Sequence, residues 1–257
     1  MIRAFRAEYY KIRRLSILSG SIAMVGLSIL AAYFGITRIH DRPDALVEIF
    51  RLSQPDGLVT LLQHAATLLL VISLIVMAAS MGEEWSHGTI RNLLAVSPNR
   101  ILVFAGKYAA LLLYLALASA LAIVLGGLIA WWLGPGNGIT TSAWTTAAGW
   151  NALATFAGNF ALCLVGWTVF GAAVGILLRS AAAAVGIAMA YLLVLEGLIT
   201  LLLPNVGKWL IGELLTVVIQ GGTPTMQYSA ALFWSGVYTV GFLAASMLLL
   251  VRRDITA

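Results

Sequence analysis

Between Tyr108 and Leu178 the chain runs for 71 residues without one Asp, Glu, Lys, Arg or His. A folded domain in water needs ionised groups on its surface far more often than that. At ~1.5 Å per helical residue the run greatly exceeds the roughly 20 residues of one bilayer crossing, so it must hold two spans and a turn. Gly134-Pro135-Gly136-Asn137-Gly138 supplies the stop between them. With 61% apolar residues, 10% charged residues and a mean hydropathy of +0.98, the whole chain reads as an all-α polytopic membrane protein.

Taken in order, Met1 to Arg14 sets Arg3, Arg6, Lys11, Arg13 and Arg14 against Glu8 alone, with Ile2, Phe5, Tyr9 and Ile12 on one helical stripe. That is an amphipathic helix lying on anionic headgroups. The spacing places spans at about 15–37, 57–81, 107–133, 151–178, 182–203 and 229–251, all in a single domain over 1–257. The first apolar run is too long for a signal-peptide core of ~7–15 residues. A loop from Arg38 to Asp56 has room for one short surface helix through Leu46, Ile49 and Phe50, and Thr140 to Trp150 reads as an interfacial segment with an aromatic belt. The apolar piece from Leu214 to Gln220 cannot cross a bilayer. The segment Pro204 to Tyr228 is therefore expected to be a re-entrant or interfacial helix pair.

An even number of spans puts both termini on one side. That side carries eleven Lys and Arg, the other only Arg38, Arg42, Arg51 and Lys208, which makes the first side cytoplasmic. The net charge of +5 thus reports topology; no basic patch with interleaved aromatics suggests nucleic acid. Cys163 is the only cysteine, so no intrachain disulfide or thiolate metal site can form.

Gly82 to Arg100 is the one long polar interruption on the cytoplasmic side. Thr89 can cap a short helix, and Ser97-Pro98 must end it, leaving a rod of about two turns from Ile90 to Val96. Ile90, Leu93 and Leu94 fall at i, i+3 and i+4 on a helix too short to stand alone in water, so the rod wants a partner surface. Glu83 and Glu84 break the positive trend of this face. Either they are solvated, or they pair with Arg91, Arg100 or the basic N-terminal helix and fix the angle of the rod.

No nucleotide cradle, HExxH or GxSxG is present, and His40, His64 and His87 sit in three different segments. Nothing marks an enzyme. Glu196 is the one carboxylate inside a span. At that depth it is either a pathway residue or a structural group, hydrogen-bonded to a neighbouring helix or protonated in place. Gln63 and His64, near the start of the second span, are the other pathway candidates. Gly171-x-x-x-Gly175 permits close helix approach and reads as packing within the subunit.

Glu84-x-x-x-Gly88-Thr89-Ile90-Arg91-x-x-Leu94 followed by Pro98-x-Arg100, between spans two and three, resembles the hallmark loop of ABC-2 type transporter permeases, the membrane subunits of type-2 ABC exporters. The basic N-terminal helix, the six spans, the broken segment before the last span and the closing Arg252-Arg253-Asp254-Ile255 are similar to the same family. The resemblance implies that the rod is a coupling helix, with Glu83, Glu84, Gly88, Thr89, Ile90, Arg91, Leu93, Leu94, Pro98 and Arg100 forming the contact with a separate ATPase. It further implies two ATPase copies that carry the ATP and Mg, a second permease copy or paralogue, and a path lined by spans two and five, which bear His64 and Glu196. Few charges in the spans favour an amphipathic or hydrophobic cargo such as an antibiotic, peptide or lipid-like molecule, exported across the plasma membrane. The alternative from another class is an ion- or proton-coupled secondary transporter using Glu196.

Overall fold

The computed structural model describes residues 15–41, 43–86 and 100–252, except for the side chains of 15–18, 84–86, 100 and 252. The surface helix expected over Met1 to Arg14, the rod from Ile90 to Val96 and the closing Arg253-Asp254-Ile255 lie outside the described residues. In chain order the helices are α1 (Leu15–Thr37), α2 (Ala45–Leu52), α3 (Gly57–Ser86), α4 (Arg100–Leu133), α5 (Ala147–Leu178), α6 (Ala181–Leu202), α7 (Pro204–Gly207), α8 (Ile211–Gln220) and α9 (Tyr228–Arg252). Among the described residues there is no strand, only an isolated bridge between Thr223 and Met226. Six of the helices, α1, α3, α4, α5, α6 and α9, are long and apolar enough to cross a membrane.

The bundle is built around α3 and α5. More than half of each is buried, whereas the other four long helices keep most of their surface outward. Glycine explains the closeness of the central pair. A Cβ on Gly171 would stand 2.6 Å from the Leu74 carbonyl oxygen, and one on Gly175 would stand 2.6 Å from that of Ala78. The two backbones therefore touch, with no side chain between them. Lipid tails are as apolar as leucine, so helices inside a membrane gain from such contact rather than from hiding apolar surface. The outer helices are fastened by polar pairs: Ser28 Oγ on α1 donates to the Ala122 carbonyl of α4 at 2.7 Å, and Tyr108 of α4 shares a hydrogen bond with Thr168 of α5 at 3.0 Å.

Two helix starts and one tryptophan differ from the sequence reading. α4 begins at Arg100 rather than near Lys107. Lys107 is 6% exposed and its ammonium donates to the Ser80 carbonyl of α3 at 2.7 Å, which offsets the loss of water and lets a cation sit inside the helix pair. α5 begins at Ala147, where Thr146 Oγ1 accepts the Gly149 N–H at 3.3 Å and fixes the helix start. Within the segment expected to form an aromatic belt, Trp150 is exposed but Trp144 is buried. Trp144 Nε1 donates to the Leu52 carbonyl at the end of α2 at 2.8 Å, and its ring meets Trp131 edge-on. That tryptophan rivets a loop to the bundle.

The link from α5 to α6 is two residues long. Arg179 takes φ 54°, the only positive φ outside glycine among the described residues, and Ser180 Oγ then accepts the Ala183 N–H at 3.4 Å to start α6. This turn lies against the C-terminal end of α3. A Cβ on Gly82 would stand 2.8 Å from both the Ser180 carbonyl oxygen and the Ala181 nitrogen.

Candidate functional site

Gln63 and His64 come together in a cleft of about 460 Å³ at the N-terminal end of α3, lined also by Arg51, Thr60, Thr67, Gln220 and Gly222. Thr60, Gln63, His64 and Thr67 follow the spacing i, i+3, i+4, i+7, so one face of an otherwise apolar helix is polar over two turns. His64 Nδ1 lies 3.1 Å from the Thr60 carbonyl oxygen. A carbonyl only accepts, so Nδ1 carries the hydrogen and Nε2 is the ring atom left for a ligand. Across the cleft, Gln63 Nε2 donates to the Ile219 carbonyl at 3.4 Å, tying α3 to the end of α8.

Gln220 and Gly222 reach the cleft because α8 stops sharply. Gly221 at φ 77° and Gly222 at φ 113° return their N–H groups to Val218 and Val217, so the last carbonyls are satisfied before the chain turns into α9. A side chain other than glycine would be strained at both positions.

Glu196 does not enter the cleft. It is 5% exposed, and its Oε1 accepts the Glu213 N–H at 2.8 Å. Leu210, which precedes α8, has no side chain able to cap it, and the carboxylate of another helix takes that place at the positive end of the peptide dipoles. Gly212 is the neighbour that allows the approach, since a Cβ there would collide with the carboxylate. Five residues of π-helix, Tyr191–Leu195, run directly into Glu196, whose N–H bonds to the Tyr191 carbonyl. The wider turn shifts every later side chain around α6 relative to a regular helix. Glu196 Oε2 and Thr200 Oγ1 are buried without a hydrogen-bond partner among the described residues.

The two sets of pathway candidates therefore sit at opposite ends of one short helix. Ile211 to Gln220 spans ~15 Å at the usual helical rise. Its N-terminal end is held by Glu196 and its C-terminal end forms a wall of the Gln63–His64 cleft. Protein covers α8 along its length: Leu214, Leu215 and Val218 are buried, and Cys163 Sγ of α5 donates to the Leu215 carbonyl at 3.2 Å. Gly207 packs on Thr200 and Gly212 on Glu196, so the chain retraces the last turns of α6 before α8 begins.

Of the residues assigned to an ATPase contact, Glu83 is half-buried near the end of α3, Glu84 is in the same helix and Arg100 opens α4. Gly88, Thr89, Ile90, Arg91, Leu93, Leu94 and Pro98 lie outside the described residues. Reasoning from sequence missed Lys107, Arg51, Gln220 and the threonines of the polar stripe. The stripe had a signal, its helical spacing; Arg51 and Gln220 had none, because only the fold brings them to it. Among the described residues no three His, Cys, Asp or Glu side chains form a group able to hold a metal ion.

Residues 46–256 match the family described as Protein of unknown function (DUF2705). No curated protein matches the chain.

Proposed function

The chain belongs to the DUF2705 family, and we propose that this member is the transmembrane permease subunit of an ATP-driven exporter, coupled to a separate ATPase. Its cargo is amphipathic or hydrophobic, of the antibiotic, peptide or lipid-like kind. The working unit is two permeases, identical or paralogous, with two ATPases that bring the ATP and Mg. Both termini and residues 82–100 face the cytoplasm across the plasma membrane.

The observation that carries this reading is the interlock at the C-terminal end of α3. The segment that resembles a coupling loop follows a helix whose Gly82 lies against the α5–α6 turn and whose Leu74 and Ala78 lie against Gly171 and Gly175. A push on that segment is passed by backbone contact to α5 and α6 together. A two-state bundle moved in this way changes which side its path faces, provided nucleotide binds one state more tightly than the other. The engagement of Glu196 with α8 favours a structural role for that carboxylate over the proton-coupled alternative.

The test is co-expression with an ABC ATPase that has no membrane spans of its own, followed by purification through a tag on the permease. Retention of the ATPase, together with labelling of Trp85→Cys and Asn99→Cys only after the membrane is permeabilised, is the expected result. Labelling of either cysteine from outside intact cells would refute the topology and the docking role with it.

A further inference from the structure

We propose that the cleft between α2, α3 and α8 is a binding site for the anionic head group of an amphiphile whose apolar part stays in the membrane. The inference deepens the permease reading by naming the substrate class, and rests on that reading for its transport meaning alone.

Among the described residues the lining is polar, and the one fixed charge in it is positive. Arg51 is exposed at the cleft, and its guanidinium makes no hydrogen bond or ion pair with another described residue. Among the described residues no carboxylate lines the cleft; Asp56, one turn before Thr60, is outside it. Beside the cation stand the second N–H of the Gln63 amide and the amide of Gln220, while the hydroxyls of Thr60 and Thr67 donate back to the Asp56 and Gln63 carbonyls. A guanidinium flanked by two amide donors suits a phosphate or carboxylate, whose oxygens accept several hydrogen bonds at once. A neutral sugar would leave the guanidinium without a counter-charge.

The flank of the cleft speaks for an amphiphile rather than a free anion. Arg51 is the penultimate residue of α2, and on the same eight-residue helix Leu46, Val47 and Phe50 are 83%, 68% and 70% exposed. Large apolar side chains beside a polar cleft cost free energy in water and are at home against acyl chains. An amphiphile meets both demands at once, its head between Arg51 and the amides, its chains along α2. The volume of about 460 Å³ admits a head group and excludes a second helix.

The test uses the full chain in phosphatidylcholine nanodiscs without any ATPase. Retention of dioctanoyl phosphatidate, dioctanoyl phosphatidylcholine and inorganic phosphate is read by native mass spectrometry. The expected result is retention of phosphatidate about ten-fold above phosphatidylcholine, lost in Arg51→Gln and reversed in Arg51→Glu, as a charge-assisted contact of ordinary strength requires. Both variants change an exposed side chain, and an unchanged unfolding temperature verifies that they fold. Equal retention of the two lipids, no effect of either variant, or displacement of phosphatidate by an equal concentration of inorganic phosphate overturns the proposal. Lipid selectivity in a chain that no ATPase recognises would sink the permease reading and leave the site standing. Coupled ATP hydrolysis without lipid selectivity would do the reverse.

Discussion

Glu196 of α6 and the backbone N–H of Glu213 in α8 are joined at 2.8 Å, so a carboxylate from one helix starts another seventeen residues later. In a bilayer an uncapped helix end has no water to turn to, which makes this contact more consequential than a surface cap. Glu196→Gln keeps a carbonyl oxygen for the Glu213 N–H and is expected to retain near-native stability. Glu196→Ala removes the acceptor and is expected to lower stability by about 1–2 kcal/mol, the range of a lost cap. Thermal unfolding in detergent reads both variants. Exchange of the Gly212 and Glu213 amides localises the effect, and equal loss in the two variants would argue that the charge, not the acceptor, is what α8 needs.

The contact of α3 with α5 allows a sharper comparison. Gly171 and Gly175 have backbone carbonyls 2.6 Å from a built Cβ, whereas Gly158 on the same helix has nothing within 4 Å. Gly171→Val and Gly175→Val must force the central helices apart and are each expected to cost about 1–3 kcal/mol or more. Gly158→Ala is expected to stay within about 1 kcal/mol of wild type or to gain, because alanine loses less chain entropy in a helix. Unfolding midpoints of the three variants decide it, and three equal losses would contradict the packing described.

Much of the architecture was legible because a bilayer narrows the choices. Charge-free length placed the long helices, and Gly134 to Gly138 marked one of their turns. What could not be read depended on contacts between distant segments. Lys107 looked like the edge of a span, yet the Ser80 carbonyl draws it inside. Trp144 looked like a belt residue, yet the Leu52 carbonyl holds it. Gln63 and His64 were visible as polar intruders, but the cleft they line needs Arg51 and Gln220, which no local pattern connects to them. For Glu196 the sequence left a pathway role and a structural hydrogen bond open, and its acceptor geometry toward α8 is the kind of fact only a fold supplies.

The Trp144 rivet predicts a local effect. Trp144→Phe keeps the ring contact with Trp131 but loses the 2.8 Å hydrogen bond to the Leu52 carbonyl. A fall in stability of about 1 kcal/mol is expected, with faster hydrogen exchange confined to α2 and the loop before α5. Exchange that rises evenly across the bundle would show that the loop is not a separate unit.

The interlock at Gly82 makes a prediction that distinguishes coupling from folding. Gly82→Val places two methyl groups where the Ser180 carbonyl oxygen already stands 2.8 Å from a bare Cβ. It is expected to separate α3 from the α5–α6 turn and reduce transport per ATP hydrolysed, while the ATPase still co-purifies. Loss of the ATPase itself would place Gly82 in the docking surface instead.

The most direct measurement is the ATP hydrolysis of a partner ABC ATPase, with and without the permease, in native chain and in the triple variant Ile90→Asp, Leu93→Asp and Leu94→Asp. The account predicts that the native chain stimulates hydrolysis, and that the triple variant inserts and folds with the same unfolding midpoint yet abolishes the stimulation. Full stimulation by the triple variant would contradict a role for residues 90–96 as the lever between an ATPase and this six-helix body.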